Sequence, residues 1–461
     1  MSWRALAALA LVCWGAVAFG AVYPWAYLPL FAASGLVGAA GIAGARHSAP
    51  TPFVLTAALV LTAAAIAVQL IPLPVAALRT ISPGTDSFLR QYTVGYVIAG
   101  RHALSIVPAA TVKALTAVCA LALLLVGLSR ALTHADAEHL ARGIGALGAC
   151  VAIAAIVQKA VWNGKIYGVW TPLEGGNPFG PFVNRNHYAG WMLMALPLAL
   201  GYFWGRVTRE LRDARHGSGA RMRWLASASA SETVLLGFGV AVMAVSLMLS
   251  MSRSGIVGLF LALIIAGWWI ARRQASGSMR AFLGAYLGFV ALAAVVWVGV
   301  DTLAVRFTAN PDPTLGGRVE IWRDTWHIVR EFPVTGTGLD TYGTAMLAYQ
   351  TAALDKHFAE AHNDYLQLLA EGGLLVCVPA TIALVAFGGL VWRRVRDASA
   401  ARTGYWIRAG AVTGMLAIAF QELGDFSLQM PGNAVLFVVL AALAIRPSTD
   451  DRRPRVRADH G

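Results

Sequence analysis

Stretches of about twenty mostly apolar residues recur from one end of this chain to the other, and they constrain the fold more than any other feature. At 1.5 Å per residue, a helix of that length spans the roughly 30 Å hydrocarbon core of a bilayer. Such stretches fall at about residues 5–22, 26–44, 52–71, 112–130, 141–162, 187–205, 232–250, 254–271, 281–300, 363–391, 405–422 and 431–446. They predict an all-α polytopic membrane protein with about twelve transmembrane helices. Composition agrees. Of 461 residues, 58% are hydrophobic and only 13% are charged, against about 25% in soluble domains. Too little polar surface remains to cover a water-facing sphere, which excludes a soluble fold.

The net charge of +13 raises nucleic acid as a partner class. Of 36 basic residues, however, 32 are arginine, and most sit in short loops between apolar runs. That is the positive-inside pattern of an inner-membrane protein. No basic stripe runs through a foldable soluble domain, so no nucleic-acid partner is expected. One set of loops holds Arg4, Arg46, Arg130, Arg142, the arginines from Arg206 to Arg223, Arg272, Arg273, Arg280, those from Arg393 to Arg408, and the tail from Arg446. This bias places both termini in the cytoplasm and makes the chain a multi-pass inner-membrane protein. The bundle then covers residues 1–446, and 447–461 form a basic, disordered cytoplasmic tail. Cys13, Cys119, Cys150 and Cys377 lie inside apolar runs and read as small buried residues, not as a disulfide frame or a metal site. Residues 1–20 have some features of a secretory signal, with a weak cleavage site at Ala18-Phe19-Gly20. Another apolar run follows at once, which favours a retained first helix.

The opposite side carries residues 72–111, 163–186, 251–253 and 301–361. The first is Pro-rich and reads only as packing over the bundle. The last, Asp301 to Ala361 between the ninth and tenth helices, is too small to build its own core and must pack on the bundle as a lid. From Arg318 to Pro333 it has helical period. Val319, Trp322, Trp326 and Val329 fall on one face, with Arg323, Asp324 and Arg330 mainly away from it. This predicts an amphipathic interfacial helix ended by proline, then a turn over Gly336–Asp340 and a short helix over Thr341–Leu354.

The loop ends in Glu360-Ala-His-Asn-Asp-Tyr-Leu366, where the next helix begins. Asn363 or Asp364 can cap its first turn. His362 then sits at the mouth of the bundle, where an imidazole can act as a base near neutral pH, beside a helix N-terminus that suits anions. The plainer alternative is an interfacial histidine bonding a carbonyl. Glu371 lies nine residues on, about 13 Å deeper, and shares a face with Gln367 and Asp364. An acid in an apolar helix is costly and needs a partner or a role. Glu371 reads as a structural partner, too far from His362 and on the wrong face to orient it. Three arginines face the same side: Arg185 in Phe182-Val-Asn-Arg-Asn-His-Tyr188, Arg253 in the short Ser250–Gly255 link, and Arg318. Guanidinium forks match phosphate oxygens; the alternative is snorkelling to lipid headgroups. The sequence holds no Gly-x-x-x-x-Gly-Lys loop, no His-Glu-x-x-His pair and no serine nucleophile elbow. His357 and His362 are five apart, which suits no helical metal pair.

The segments Asn184-Arg-Asn-His187, Ser252-Arg-Ser-Gly255, Gly317-Arg-Val-Glu-Ile-Trp322, Pro333-Val-Thr-Gly-Thr-Gly338, His362-Asn-Asp-Tyr-Leu366 and Glu371-Gly-Gly373, in that order, resemble the bacterial O-antigen ligase and polymerase family over roughly residues 180–375. The first 170 residues resemble it only in being helical. The resemblance implies a membrane glycosyltransferase working on the periplasmic side. Its donor would be a glycan on undecaprenyl diphosphate, and its acceptor another glycan, lipid A-core or a protein hydroxyl. It implies that His362 is the base and that Arg253 and Arg318 clamp the diphosphate. Arg185, Asn184 and Asn363 would lie near the site, with Glu371 and Trp322 in supporting positions, and no metal, cofactor or nucleotide sugar would be needed. A diphosphate leaving group mainly requires charge stabilisation, and a base at the acceptor hydroxyl completes an inverting single displacement. The rival class is a multi-pass transporter of a small anion or lipid-linked glycan. It would show inverted repeats and polar residues near the midplane, whereas the functional-looking residues here gather at one face.

Overall fold

The computed structural model describes residues 1–45, 51–172, 177–213, 227–274, 276–298, 313–351, 354, 356–396 and 402–447. Arg46, the first part of the predicted lid (301–312) and the tail from 448 lie outside the described residues. The described helices are α1 (Trp3–Val17), α2 (Pro24–Gly44), α3 (Phe53–Val68), α4 (Val75–Ile81), α5 (Pro83–Tyr92), α6 (Tyr96–Ala99), α7 (Pro108–Ala131), α8 (His134–Ala160) and α9 (Arg185–Asp213). They continue with α10 (Ala228–Leu249), α11 (Arg253–Arg273), α12 (Gly277–Val298), α13 (Pro313–Glu331), α14 (Tyr342–Tyr349), α15 (Asp364–Arg396), α16 (Arg402–Gln421) and α17 (Pro431–Ile445). One short antiparallel pair joins Leu73–Pro74 to Arg101–His102.

Each of the twelve predicted segments coincides with one of these helices. Seven (α2, α7, α8, α10, α11, α12 and α15) are long and apolar enough to cross a membrane, and α1, α3 and α17 are shorter apolar helices. The chain is thus a helical, multi-pass membrane protein. Helices α9 and α16 form the centre. Every residue of α9 from His187 to Thr208 is buried, the pattern of a helix surrounded by others. Glycines set its spacing from α16: a Cβ at Gly201 would meet the Trp406 carbonyl, and one at Gly410 the Pro197 carbonyl. Small residues at such crossings let backbones approach closely. At the far end of α9, buried Arg206 donates to Glu232 at 2.8 Å and to Glu210 at 2.9 Å. None of the four cysteines is fully buried as expected: Cys13, Cys119 and Cys377 are half-buried, and Cys150 is exposed because it lies on the face of α8 turned away from the bundle.

The face where α9 begins carries the lid. Its anchor is an interruption in α15, where Gly373 leaves helical geometry (φ 53°, ψ −166°). A broken helix frees backbone groups that must find partners, and the segment Pro333–Gly338 supplies them. Thr337 and Gly338 N–H donate to the Ala370 and Glu371 carbonyls at 3.1 and 2.9 Å. Leu374 and Leu375 N–H donate to the Pro333 and Val334 carbonyls at 3.0 and 2.9 Å. A Cβ at Gly336 would collide with the Glu371 carbonyl, so only glycine permits this approach. The Pro333–Gly338 and Glu371–Gly373 motifs are two halves of one lock.

Gln69, just past α3 and fully buried, completes the lock. Its amide donates to the Thr335 carbonyl at 2.7 Å and the Glu371 carbonyl at 2.9 Å, and its Oε1 accepts from Leu339 N–H at 3.2 Å. The Glu371 carboxylate accepts the Tyr342 N–H at 2.8 Å, at the first turn of α14. Residues 72–111 are more than packing. They hold α4–α6 as a layer joined to the lid: the Ser82 and Thr335 hydroxyls are 2.8 Å apart, and Ile106 N–H donates to Thr337 at 2.9 Å.

Helix α13 is amphipathic, but its inward face is only partly the predicted one: Val329 is buried and Trp322 half-buried. Val319 is 51% and Trp326 46% exposed, while Ile321, Thr325, Ile328 and Phe332 are buried and Asp324 is only 2% exposed. The reason is Asp324, whose carboxylate accepts the Thr351 N–H at 2.9 Å and hydroxyl at 2.8 Å. That distant partner offsets the cost of burying the charge and turns the helix. The second lid helix is also shorter than expected, ending at Tyr349.

Candidate functional site

The site forms where the first turns of α9, α11 and α15 meet the lid and the α16–α17 connection. Asn363 caps α15, its Oδ1 accepting the Leu366 N–H at 3.0 Å. The residue before it, His362, has φ +50°, a left-handed conformation that costs a side-chain-bearing residue about 1–2 kcal/mol. Trp322 of α13 fixes the same corner, its indole N–H donating to the Ala361 carbonyl at 3.0 Å.

The His362 ring stands edge-on to Phe426, centroids 4.9 Å apart, and His187 also packs edge-on to Phe426 at 4.8 Å. Phe426 thus contacts two imidazoles. His362 Nδ1 is buried with no hydrogen-bond partner in the described protein. Burial, and then the Arg318 charge, push the His362 pKa down to about 4. The imidazole is therefore neutral at physiological pH, with a lone pair available.

Arg318 reaches from α13 toward the same corner; a Cβ on Gly424 would lie 3.8 Å from its Nη1. Beside it, fully buried Asp425 accepts its neighbour Phe426 N–H at 2.9 Å, and the Ser254 hydroxyl stands 3.4 Å away. Burial raises Asp425 to about 6, against the pull of Arg318. Ser254 follows Arg253 in the first turn of α11, which is capped by Ser252 accepting the Gly255 N–H at 3.3 Å. The structure thus brings Arg318, His362 and the first turn of α11, with Arg253, around the 422–426 connection.

Arg185 and Asn184 sit at the start of α9, and Asn184 Oδ1 accepts the Asn186 N–H at 2.9 Å. Arg185 lines a separate cavity with Lys159. Glu371 lies deeper, beside Gln367 and bound to the lid backbone. On the α15 side, a cavity of about 500 Å³ is lined by Lys113, Asp340, Glu360, Asp364, Gln367, Glu371 and Gln429 above an apolar floor. Gln429 donates to Asp364 at 2.7 Å, and Glu422 is buried beside Asp364. Burial, with the Asp364 charge, raises Glu422 far above the usual carboxylate range, so it carries a proton.

Sequence reasoning missed Asp425, Phe426 and Glu422. The available signal was Glu422-Leu-Gly-Asp425, two acids between apolar helices where charge is costly.

These features define a class: an all-helical polytopic membrane protein with an arginine–histidine site under a helical lid at one end of the bundle. Residues 238–380 match the family model of O-antigen ligase. That segment, which carries Arg253, Arg318, Trp322, His362, Asn363 and Glu371, belongs to the O-antigen ligase and polymerase family. No match to a curated protein was found.

Proposed function

We propose that the protein transfers a glycan from undecaprenyl diphosphate to an acceptor hydroxyl at the periplasmic face of the inner membrane. The observation that carries this reading is the meeting of Arg318 with the neutral, unpartnered imidazole of His362 beside the first turn of α11. The acceptor oxygen attacks the anomeric carbon as His362 takes its proton. The bond from that carbon to the diphosphate oxygen breaks with inversion, and its electron pair leaves on the diphosphate. Arg318 and Arg253 stabilise the charge that accumulates there. A conjugate acid near pH 4 is a weak base on its own. Burial, the larger cause of the lowering, persists, but the bound diphosphate brings negative charge next to Arg318, which offsets the smaller, repulsive one and raises the basicity of His362 when substrate is present.

The cavity lined by Asp364, Gln367 and Gln429 is rich in carboxylates and amides. Such groups pair with neutral sugar hydroxyls and repel phosphate, which supports its use for acceptor glycan. The test is His362→Ala in reconstituted membranes supplied with lipid-linked glycan. The variant should insert normally and lose transfer; near-normal transfer would remove His362 from the mechanism.

A further inference from the structure

The layer of residues 72–111 leaves three of its aliphatic side chains uncovered. Val94 is wholly exposed, Ile98 is 93% exposed and Val97 58%. All three sit on one tip, made of α6 and the turns that flank it. Gly95 and Gly100, at φ +80° and +69°, turn the chain into and out of α6, a conformation glycine adopts without a steric penalty. Tyr96 alone turns inward, to a small core with Leu78, Leu89 and Leu104, and its hydroxyl donates to Asp86 at 2.8 Å. A Cβ on Gly95 or on Gly100 would meet no atom within 4 Å. The tip is thus braced from within, and among the described residues nothing stands against its outer side.

The layer is tied to the end of α3. Ser105 N–H donates to the Gln69 carbonyl at 2.9 Å and Val75 N–H to the Gly100 carbonyl at 3.1 Å, and Arg101 donates to the Pro72 carbonyl at 3.3 Å. Gln69 directly follows α3, an apolar helix, and Pro108 opens α7, one of the helices long enough to span a membrane. The base of the layer therefore lies where both helices reach the bilayer surface. Leu61, Ala64 and Val68, three and four residues apart on α3, form an exposed apolar strip. Ile71, Pro72 and Pro74 carry that exposed strip onward, and the bond from Val75 to Gly100 joins the tip to its end.

Charge points the same way. Asp86 is the only carboxylate between residues 69 and 112. It is buried, and it accepts from Arg90 Nε at 2.9 Å and Arg79 Nε at 3.5 Å. Arg90 also lies over the Tyr96 ring, 6.0 Å from its centroid, and Arg101 directly follows the tip. All three arginines are exposed. An aliphatic tip bordered by guanidinium groups, in a layer with no exposed acid, matches a phospholipid surface: apolar groups enter the acyl boundary and cations meet the phosphates. Exposed apolar patches also mark protein contacts; continuity with the lipid-facing strip of α3 favours the bilayer.

We propose that the tip over Val94–Ile98 dips into the bilayer surface on the lid side, as an anchor for the layer. Val94, Val97 and Ile98 lie among the upper acyl groups, and Arg79, Arg90 and Arg101 at the headgroup phosphates. The layer is bonded to the lid through Ser82 and Thr335 and through Ile106 and Thr337, so the anchor sets the height of the lid over the membrane. This goes beyond the transfer reading, which gives the layer no part.

The test uses the full chain, with Cys13, Cys119, Cys150 and Cys377 replaced by alanine, in nanodiscs of phosphatidylethanolamine and phosphatidylglycerol. Ile98→Cys carries a nitrobenzoxadiazole dye, and Val94→Cys supplies a second position in case the first fails to fold. Phospholipid with a nitroxide near the top of its acyl chain should lower the emission at least twofold. Aqueous iodide should quench the bound dye at least threefold more weakly than the free dye. A nitroxide effect under twofold would overturn the proposal. Combined with strong iodide quenching it places the tip in water; combined with shielding from both quenchers it places the tip under protein, such as a second copy. Iodide quenching less than threefold weaker than that of free dye would overturn the proposal as well. The readout needs no donor and no acceptor, so loss of transfer in His362→Ala neither supports nor weakens it.

Discussion

Replacing Gln69 with leucine, similar in size and unable to hydrogen-bond, tests how the lid is held. The change removes three bonds, to Thr335, Glu371 and Leu339. Each neutral bond contributes about 1 kcal/mol net, and each buried group left unsatisfied costs about 1–3 kcal/mol. The Glu371 carbonyl keeps a second donor, Gly338 N–H, so its loss falls at the low end. The total is about 3 kcal/mol, concentrated on segment 335–342 and not spread over the bundle. Hydrogen exchange by mass spectrometry reads this directly, because local opening sets amide protection. At 1.4 kcal/mol per tenfold, the amides of Thr337, Gly338 and Tyr342 should exchange about a hundredfold faster in Gln69→Leu. Peptides from α9 and α16 should be unaffected. Protection of 335–342 within threefold of the native protein would show that Gln69 is not the anchor.

Three further outcomes follow from the geometry. His362 binds its proton more weakly folded, at about pH 4, than at the ordinary 6.5, so it contributes stability that is lost as pH falls from 6.5 to 4. Asp425, raised to about 6, acts in the opposite sense between about 4 and 6, so the comparison must be differential. The stability difference between native protein and His362→Gln should change by about 1.4 kcal/mol per pH unit in that window, and a pH-independent difference in denaturant unfolding would contradict it. Arg206→Met leaves buried Glu210 with neutral donors such as the Thr233 hydroxyl, while the more exposed Glu232 keeps Arg142, and should cost about 3 kcal/mol in detergent unfolding, whereas an exposed pair would cost under about 1 kcal/mol. Asp324→Ala removes both bonds to Thr351 and should cost about 3 kcal/mol, seen as faster proteolysis near residue 351 with the bundle intact.

The helices were legible in the sequence because the bilayer demands long apolar runs whatever packs against them. The lid was legible as an element but only partly in its orientation. Period alone puts Val319 and Trp326 inward, and only the bond from Asp324 to Thr351, 27 positions away, turns the helix the other way. His362 and Arg318 were visible because a histidine at a helix start and an arginine opening an amphipathic helix stand out in an apolar chain. Gln69 and Phe426 carry no such local mark. An amide at the end of an apolar helix and a phenylalanine between helices are ordinary until distant backbone and imidazole groups are brought to them.

The lock between Pro333–Gly338 and the break at Gly373 bears on how such proteins can be recombined. The family segment at 238–380 has borders set by similarity, but the mechanical unit does not stop there. Gln69 enters from the first seventy residues and Phe426 from the last forty, and both touch the heart of that segment. A lid exchanged between relatives at the similarity borders would arrive without its fastener and without the ring packed against its histidine. Chimaeras meant to exchange acceptor preference therefore need three pieces moved together: the lid with α15, the end of α3, and residues 422–427.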